Sequence, residues 1–489
     1  MQNEDDRSTL DRNDTSPSGS LNRRDFLKVA GAAGVVLGMG SGLGGILSAC
    51  GGDDSSSSGG GSSTEPIKFG ILGAMGDPSG LNVLRAAELS FGAINASGGI
   101  LGRKCEIVGP IDDHMETAQA IQGFETLVAK NVDVILGASI DDVEAALLGR
   151  ISRAQDILYL SMFASTQAFM ENVNKDYDKF KNYFMYTPTD QGLYFCVQDP
   201  AVQLMNDYGY KKVHMLREDM VWTEGIEVFF KEEAPKAGLV PAGVSVVPVD
   251  VEDLTPYFRA AEQAGAQQIM TFISVFGERL ANQAWENKVP MAISGHNGIL
   301  NDYGYWERSK GAWGTMATTS TWGSLQKHTA EWRDYVSEWF STYPDDPRTP
   351  MWLGECTWRG IKSYKEAAER ANSVATEALI PELEKTYYAD APTRGGFYGP
   401  GQGDWPHAWC SPIDATAAAS PDPERGEGLW ESSPYSPMTQ WQPPDIAPAD
   451  SFMLPGEPAD YGRLVTVYPK HLAGGKYQPP PFFPGSPNA

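Results

Sequence analysis

Positive charge is in short supply: the 489-residue chain has 38 Lys+Arg against 63 Asp+Glu, a formal net charge of -25. A surface of that sign is repelled by phosphate backbones, and no Lys/Arg cluster offers a local basic patch, which argues against nucleic acid as a partner. Cysteine is scarce as well. There are five, without metal-ligand spacing, and sequence leaves the pairing of Cys105, Cys196, Cys356 and Cys410 open. After residue 50 there is no G-x-S-x-G, H-E-x-x-H, Walker A or paired C-x-x-C. His114 beside Asp112 and Asp113 fits no structural zinc spacing and reads as a solvated helix start. No metal, no cofactor and no enzymatic activity are expected. Nor does any run beyond residue 50 have the length and apolarity to span a bilayer.

What is there begins with a leader. Arg23-Arg24-Asp25-Phe26-Leu27-Lys28 is a twin-arginine signal, followed by a weakly apolar run that holds seven glycines between Gly31 and Gly45. Leu47-Ser48-Ala49-Cys50 then reads as a lipobox, so residues 1–49 are expected to be removed and Cys50 to carry lipid. Gly40-Ser41-Gly42-Leu43-Gly44-Gly45 matches G-x-G-x-x-G, but no strand precedes it. Residues 50–65, rich in Gly and Ser, form a flexible tether. The expected location is outside the cytoplasm, on the outer side of the membrane or in the periplasm.

From Ile67 short β-rich runs alternate with helical ones, the pattern of βαβ units and a parallel sheet. The pattern predicts strands at Ile67–Ala74, Cys105–Pro110, Val132–Gly137 and Ile157–Met162, with helices between them. Phe163–Asp190 reads as a loop crossing to a second lobe, where Lys212–Arg217, Val244–Val251, Gln268–Ser274 and Met291–Ser294 are the strands. The fold class is therefore α/β, two Rossmann-like doubly wound lobes with a cleft between their strand ends. Residues 66–187 form lobe 1, with about 318–390 returning to it, and 188–317 form lobe 2. Residues 391–489 hold 19 of the chain's 34 prolines, which excludes long helices. Their tryptophans and phenylalanines demand burial, so the segment is expected to pack on the lobes, with Leu464–Tyr468 its one strand.

Specific residues carry a resemblance. Ile67-Lys68-Phe69-Gly70-Ile71-Leu72, the run Ala93-Ile94-Asn95-Ala96-Ser97-Gly98-Gly99-Ile100-Leu101-Gly102-Arg103-Lys104, Val134-Ile135-Leu136-Gly137-Ala138-Ser139 and Ile157-Leu158-Tyr159-Leu160-Ser161 resemble the type I solute-binding proteins of ABC transporters. That family includes branched-chain amino-acid, amide and urea receptors. The resemblance implies closure of two lobes around a solute and delivery to a membrane permease, by a monomer. It assigns ligand contact to Ser139, whose competing role is an N-cap for the helix that follows. It also assigns Phe163, Ala164 and Ser165 after the fourth strand, and Trp222 and Phe276 as rings across the cleft. His296 and Asn297 stand where amino-acid-binding relatives carry a carboxylate for the ligand ammonium. Either Glu218, Asp219, Asp302 or Asp141 substitutes, or the ligand has no ammonium; the second is the expectation, with a small carboxylate, amide or aromatic acid as ligand. Two other classes compete: the same fold as the sensing subunit of a signalling system, and a secreted cofactor enzyme exported after folding.

Overall fold

The computed structural model describes residues 65–318, 323–344, 352–388, 392–393, 395–400, 406–409, 436–453 and 457–488. The leader, Cys50, the tether and Cys410 lie outside the described residues. Ile67–Gly73 (β1) is buried along almost its whole length, so it needs cover on both faces. Its end turns sharply into α1 (Pro78–Ala96). Asp77 caps that helix, its Oδ1 accepting from the Ser79 N–H at 2.8 Å, and Pro78 sits in the first turn, where a missing N–H costs nothing. A β-carbon on Gly80 would stand 2.3 Å from the Ala74 carbonyl oxygen, so only glycine lets helix and strand meet this closely.

Four strands join β1: β2 (Cys105–Asp112), β3 (Val134–Ala138), β4 (Leu158–Ser161) and β5 (Tyr183–Met185). Their order is β2-β1-β3-β4-β5, and every pair is parallel. α2 (Thr117–Ala129), α3 (Asp141–Ile151), α4 (Gln167–Lys175) and α5 (Tyr177–Phe180) make the connections. The stretch read as a loop, Phe163–Asp190, thus holds two helices and the fifth strand. The Gly-rich run after α1 behaves as its sequence suggests: Gly98, Gly99 and Gly102 have positive φ, and Asn95 brackets the Cys105 backbone with hydrogen bonds of 2.7 and 2.9 Å.

The second sheet is built from α6 (Asp190–Tyr208), β6 (Lys212–Glu218), α7 (Val221–Glu233), β7 (Val240–Val247), α8 (Thr255–Gln263), β8 (Gln268–Ile273), α9 (Gly277–Glu286), β9 (Ala292–Asn297), α10 (Tyr305–Arg308) and β10 (Thr315–Ala317). The chain continues through α11 (Ala330–Thr342), α12 (Trp352–Ala371), α13 (Thr376–Leu383), β11 (Tyr387–Tyr388), β12 (Gly395–Gly396), β13 (Met438–Gln442) and β14 (Arg463–Tyr468). Strand order is β14-β13-β10-β9-β8-β6-β7. β10 through β7 run parallel, and β13 and β14 add in antiparallel fashion. The Pro-rich segment therefore supplies three strands, β12, β13 and β14, not one. α12 returns to the first lobe, where Leu353, Ile361 and Tyr364 share a core with Ile67 and Phe69.

The late segment touches both sheets. At the first, the Met185 N–H donates to the His407 carbonyl at 2.9 Å and the Trp409 N–H to the Met185 carbonyl at 2.7 Å, a short parallel addition to β5. His407 stacks on Phe184 at 3.9 Å between ring centroids. At the second, β14 and the residues after it cover α6: Leu204 packs with Val467, Leu472 and Phe483. The first three turns of α6 are consequently buried all round. Cys105, Cys196 and Cys356 are buried, and burial pushes the Cys105 and Cys356 thiols up to about 12. Among the described residues no helix is long and apolar enough to cross a membrane.

Two expectations follow. Glu144 is fully buried under β4 and β5, and burial pushes its carboxyl from 4.5 up to about 7 against the pull of the Tyr183 hydroxyl at 2.5 Å. The folded protein thus keeps a proton that the unfolded chain releases above pH 4.5. Stability should fall by about 3 kcal/mol as pH rises from 4.5 to about 7, then level. Denaturant midpoints measured across that window should flatten in Glu144→Gln. Trp441 on β13 is buried and its Nε1 donates to the Leu300 carbonyl at 2.8 Å. Trp441→Ala should cost about 3–5 kcal/mol in urea unfolding, as for a core aromatic rather than an accessory tail.

Candidate functional site

The site is best built from the turn after β3. Ser139 is fully buried, and its hydroxyl donates to Asp113 Oδ2 at 2.5 Å. It does not cap α3: the N-cap is Ile140, and no side chain satisfies that end. Asp113 also accepts from the Met115 N–H at 2.8 Å, and burial pushes its carboxyl above the usual range. Two residues on, Asp141 Oδ1 accepts three hydrogen bonds from the turn after β4: the Ser165 N–H at 3.0 Å, the Thr166 N–H at 2.8 Å and the Thr166 hydroxyl at 2.5 Å. This pins the Phe163–Thr166 turn beside α3.

From that turn a chain of rings crosses to the second lobe. Phe163 lies 6.0 Å from Trp352, at the start of α12. Trp352 lies 6.1 Å from His296, near the end of β9, at an interplanar angle of 80°. His296 lies 5.6 Å from Trp222, in the first turn of α7, at 76°. Each centroid distance is within the range of favourable aromatic contact. Trp222 is held by Glu218, which receives its Nε1–H at 2.9 Å and also accepts from the Ser274 N–H at 3.0 Å, the Val275 N–H at 3.2 Å and the Ser274 hydroxyl. Burial pushes Glu218 up, and those four donors oppose the push.

The contacts then close on themselves through Asp190, the first residue of α6. A β-carbon on Gly225 of α7 would stand only 3.2 Å from Asp190 Oδ2, and the charge of Asp141 acts on the same carboxyl from the other lobe. Asp190 is 8% exposed, and its Oδ1 has no partner. Burial first, and then Asp141, push its carboxyl up to about 8. His296 is 7% exposed with Nδ1 unpartnered, and burial lowers it to about 4, so the ring is neutral at pH 7. The circuit Asp141, Phe163, Trp352, His296, Trp222, Asp190 thus links six chain segments of the two lobes.

Of the residues expected from sequence, Ser139, Phe163, Ser165, Trp222 and His296 fall on or beside this circuit. Ala164 sits at the turn, but its side chain is buried in the core with Met170 and Tyr183, and its carbonyl accepts from the Thr187 hydroxyl. Asn297 is fully buried on the opposite face of β9 from His296, its Nδ2 donating to Thr271 Oγ1 at 2.9 Å. Phe276 precedes α9 and packs among Leu216, Leu280 and Ile293 in the second lobe's core, away from the rings. Asp302 pairs with Arg308 at 3.3 Å. Trp352 and Asp190 were not anticipated. Asp190 follows Thr189, whose Oγ1 accepts from the Gly192 N–H at 3.1 Å, so the pair reads as an ordinary helix start. His114 stands 3.1 Å from Asp112, and among the described residues no group of three His, Cys, Asp or Glu could hold a metal ion.

The profile of the periplasmic binding protein family matches residues 66–406. Among curated proteins, no sequence matches this chain. Solved structures share the fold. One is a putative branched-chain amino acid ABC transporter protein from Silicibacter pomeroyi, with TM-score 0.65 and 16% identity, covering 86% of this chain and 100% of that one. Another is a solute-binding protein of an ABC transporter from Rhodopseudomonas palustris BisB5 in complex with 3,4-dihydroxybenzoic acid, with TM-score 0.58 and 17% identity, covering 71% of this chain and 92% of that one. A third is the branched-chain amino acid transporter substrate-binding protein of Streptococcus pneumoniae in complex with isoleucine, with TM-score 0.58 and 15% identity, covering 82% and 99%. With one parallel and one mainly parallel sheet and a family profile spanning most of the sequence, this chain belongs to the periplasmic binding protein family, with the type I fold.

Proposed function

We propose that this chain is the solute receptor of an ABC importer, held on the outer side of the membrane by lipid on Cys50 after twin-arginine export. As a monomer it captures a small polar solute between its lobes and delivers it to a permease. The observation that carries this reading is the circuit itself: side chains from both lobes meet at strand ends and helix starts, where open α/β sheets take their ligands. Delivery needs only that the closed, loaded form be preferred by the permease, a difference in affinity rather than a chemical step. Two structural relatives hold a hydroxybenzoate or isoleucine, so aromatic acids and amino acids head the compounds to screen, with amides and urea-like solutes beside them.

Thermal-shift screening of the purified chain should find a solute that raises its melting temperature, with calorimetry giving the affinity. Trp222→Ala should weaken that binding at least about tenfold, as loss of a central aromatic contact does. Ser139→Ala should weaken it less, because the hydroxyl acts through Asp113. If a solute binds and neither change weakens it, the site lies elsewhere. Cys50→Ala should move the protein from the membrane fraction to the soluble one, and persistence in the membrane fraction would rule out the lipid anchor.

A further inference from the structure

The groups that meet between the lobes are of one electrical kind. Asp113, Asp141, Asp190 and Glu218 are all carboxyl groups. Among the described residues no lysine or arginine side chain pairs with any of them: Arg217, beside Glu218, is held by Glu227 at 2.6 Å and by the Thr223 hydroxyl at 3.1 Å. The donors that could grip an anion are already used by the chain's own carboxyls. The Ser139 hydroxyl is bound to Asp113 at 2.5 Å, the Ser165 and Thr166 N–H groups to Asp141 at 3.0 and 2.8 Å, and the Ser274 and Val275 N–H groups to Glu218 at 3.0 and 3.2 Å. The start of α3, whose partial positive charge would draw an anion, carries Asp141, Asp142 and Glu144 in its own first turn.

What remains open is the reverse of an anion site. Two buried polar atoms have no partner, Asp190 Oδ1 and His296 Nδ1. The indoles of Trp222 and Trp352 flank His296, with Phe163 beyond, and Gly225, one turn along α7 from Trp222, lies against Asp190. Aromatic faces and carboxylates attract cations, and the combination is the usual way to hold an organic ammonium. A cation here would offset the burial and the Asp141 charge that keep Asp190 protonated and so draw its carboxyl into the charged form, whereas a carboxylate would add a negative charge with no lysine or arginine paired to the set, which is costly in a desolvated site.

Resting on the solute-capture reading, we propose that the ligand is a small organic cation without a carboxylate, an amine or quaternary ammonium, whose nitrogen meets Asp190 and whose carbon skeleton lies against Trp222 and Trp352. This departs from the expectation that His296 signals a ligand without an ammonium. The position of the carboxyl has moved from the strand after α9 to the start of α6.

Calorimetric titration of the purified chain with choline, its uncharged isostere 3,3-dimethylbutan-1-ol, putrescine, benzoate and isoleucine tests this. Choline or putrescine should bind at least about tenfold more tightly than the isostere, benzoate or isoleucine. Which of the two binds distinguishes a quaternary ammonium from a protonated amine. Asp190→Asn should abolish the preference for charge. Trp222→Leu, which keeps apolar bulk, should weaken the preferred cation about three- to tenfold and leave the uncharged isostere unchanged, and this arm decides the matter if the Asp190 variant fails to fold. Equal binding of choline and its isostere without putrescine binding, preference for benzoate or isoleucine, or silence toward both cations each overturns the cation assignment. In the second case solute capture stands. Silence across these five and the wider screen of amides and acids removes the capture reading as well.

Discussion

One oxygen atom, Oδ1 of Asp141, accepts three hydrogen bonds from the turn that follows β4, and the interlobe site depends on it. A partly buried carboxylate is costly unless its lone pairs are satisfied, so the side chain is stable here only with that turn folded against it. Its position as the first residue of α3 adds the favourable field of the helix start. The consequences spread in two directions. Phe163 is brought to face Trp352, which begins the row of rings toward the second lobe. Asp190, across the gap, finds a negative neighbour and holds its proton more strongly. The same group thus sets both the shape and the electrical character of the site.

Glu218 and Asp190 show two uses of a buried carboxyl. Glu218 is met by four donors, one of them the Trp222 indole, so it acts as a support that orients the ring. Replacing it would strand those donors and free the indole together, since each unsatisfied buried donor costs about 1–3 kcal/mol. Asp190 lacks such cover on one oxygen. A folded protein rarely leaves a buried carboxyl incomplete without a use for it, and the incomplete one here is the one that faces the other lobe.

Much of the architecture was legible in the sequence because the signals were strong and local. Apolar runs flanked by glycine marked β1 and β3, and the Asn95–Arg103 turn required left-handed backbone that glycines supply. What escaped had a physical reason each time. β5 is three residues long and follows the charged run Asn174-Lys175-Asp176-Tyr177-Asp178-Lys179, so no periodicity announces it. β13 reads as polar, Met438-Thr439-Gln440-Trp441-Gln442, yet all five residues are buried, because Gln440 and Gln442 donate to the Gln478 and Lys476 carbonyls at 2.8 and 2.9 Å. Trp222, Phe163 and His296, which the sequence suggests because strand ends point at clefts, stand in one row of rings with Trp352. Phe276 was misread because a ring at a helix start goes wherever packing space exists, here inward. Trp352 and Asp190 carry no local mark: the groups they meet lie on other elements, distant in sequence, which a linear reading does not join.

The late segment that completes both sheets bears on how the protein acquires its structure. β5 gains its neighbour only from residues 407–409, and the His407 ring nitrogen bonds the Tyr183 carbonyl across a separation of 224 residues. β10 gains its neighbour from β13, and the Tyr468 hydroxyl reaches Asp199 across 269 residues. Contacts of such high order are entropically expensive to form and slow the folding of a chain. Neither lobe is an autonomous early unit, since β5 and α6 keep exposed apolar surface until the final fifth of the sequence has been made. A protein built this way completes neither sheet until almost all of its chain is available.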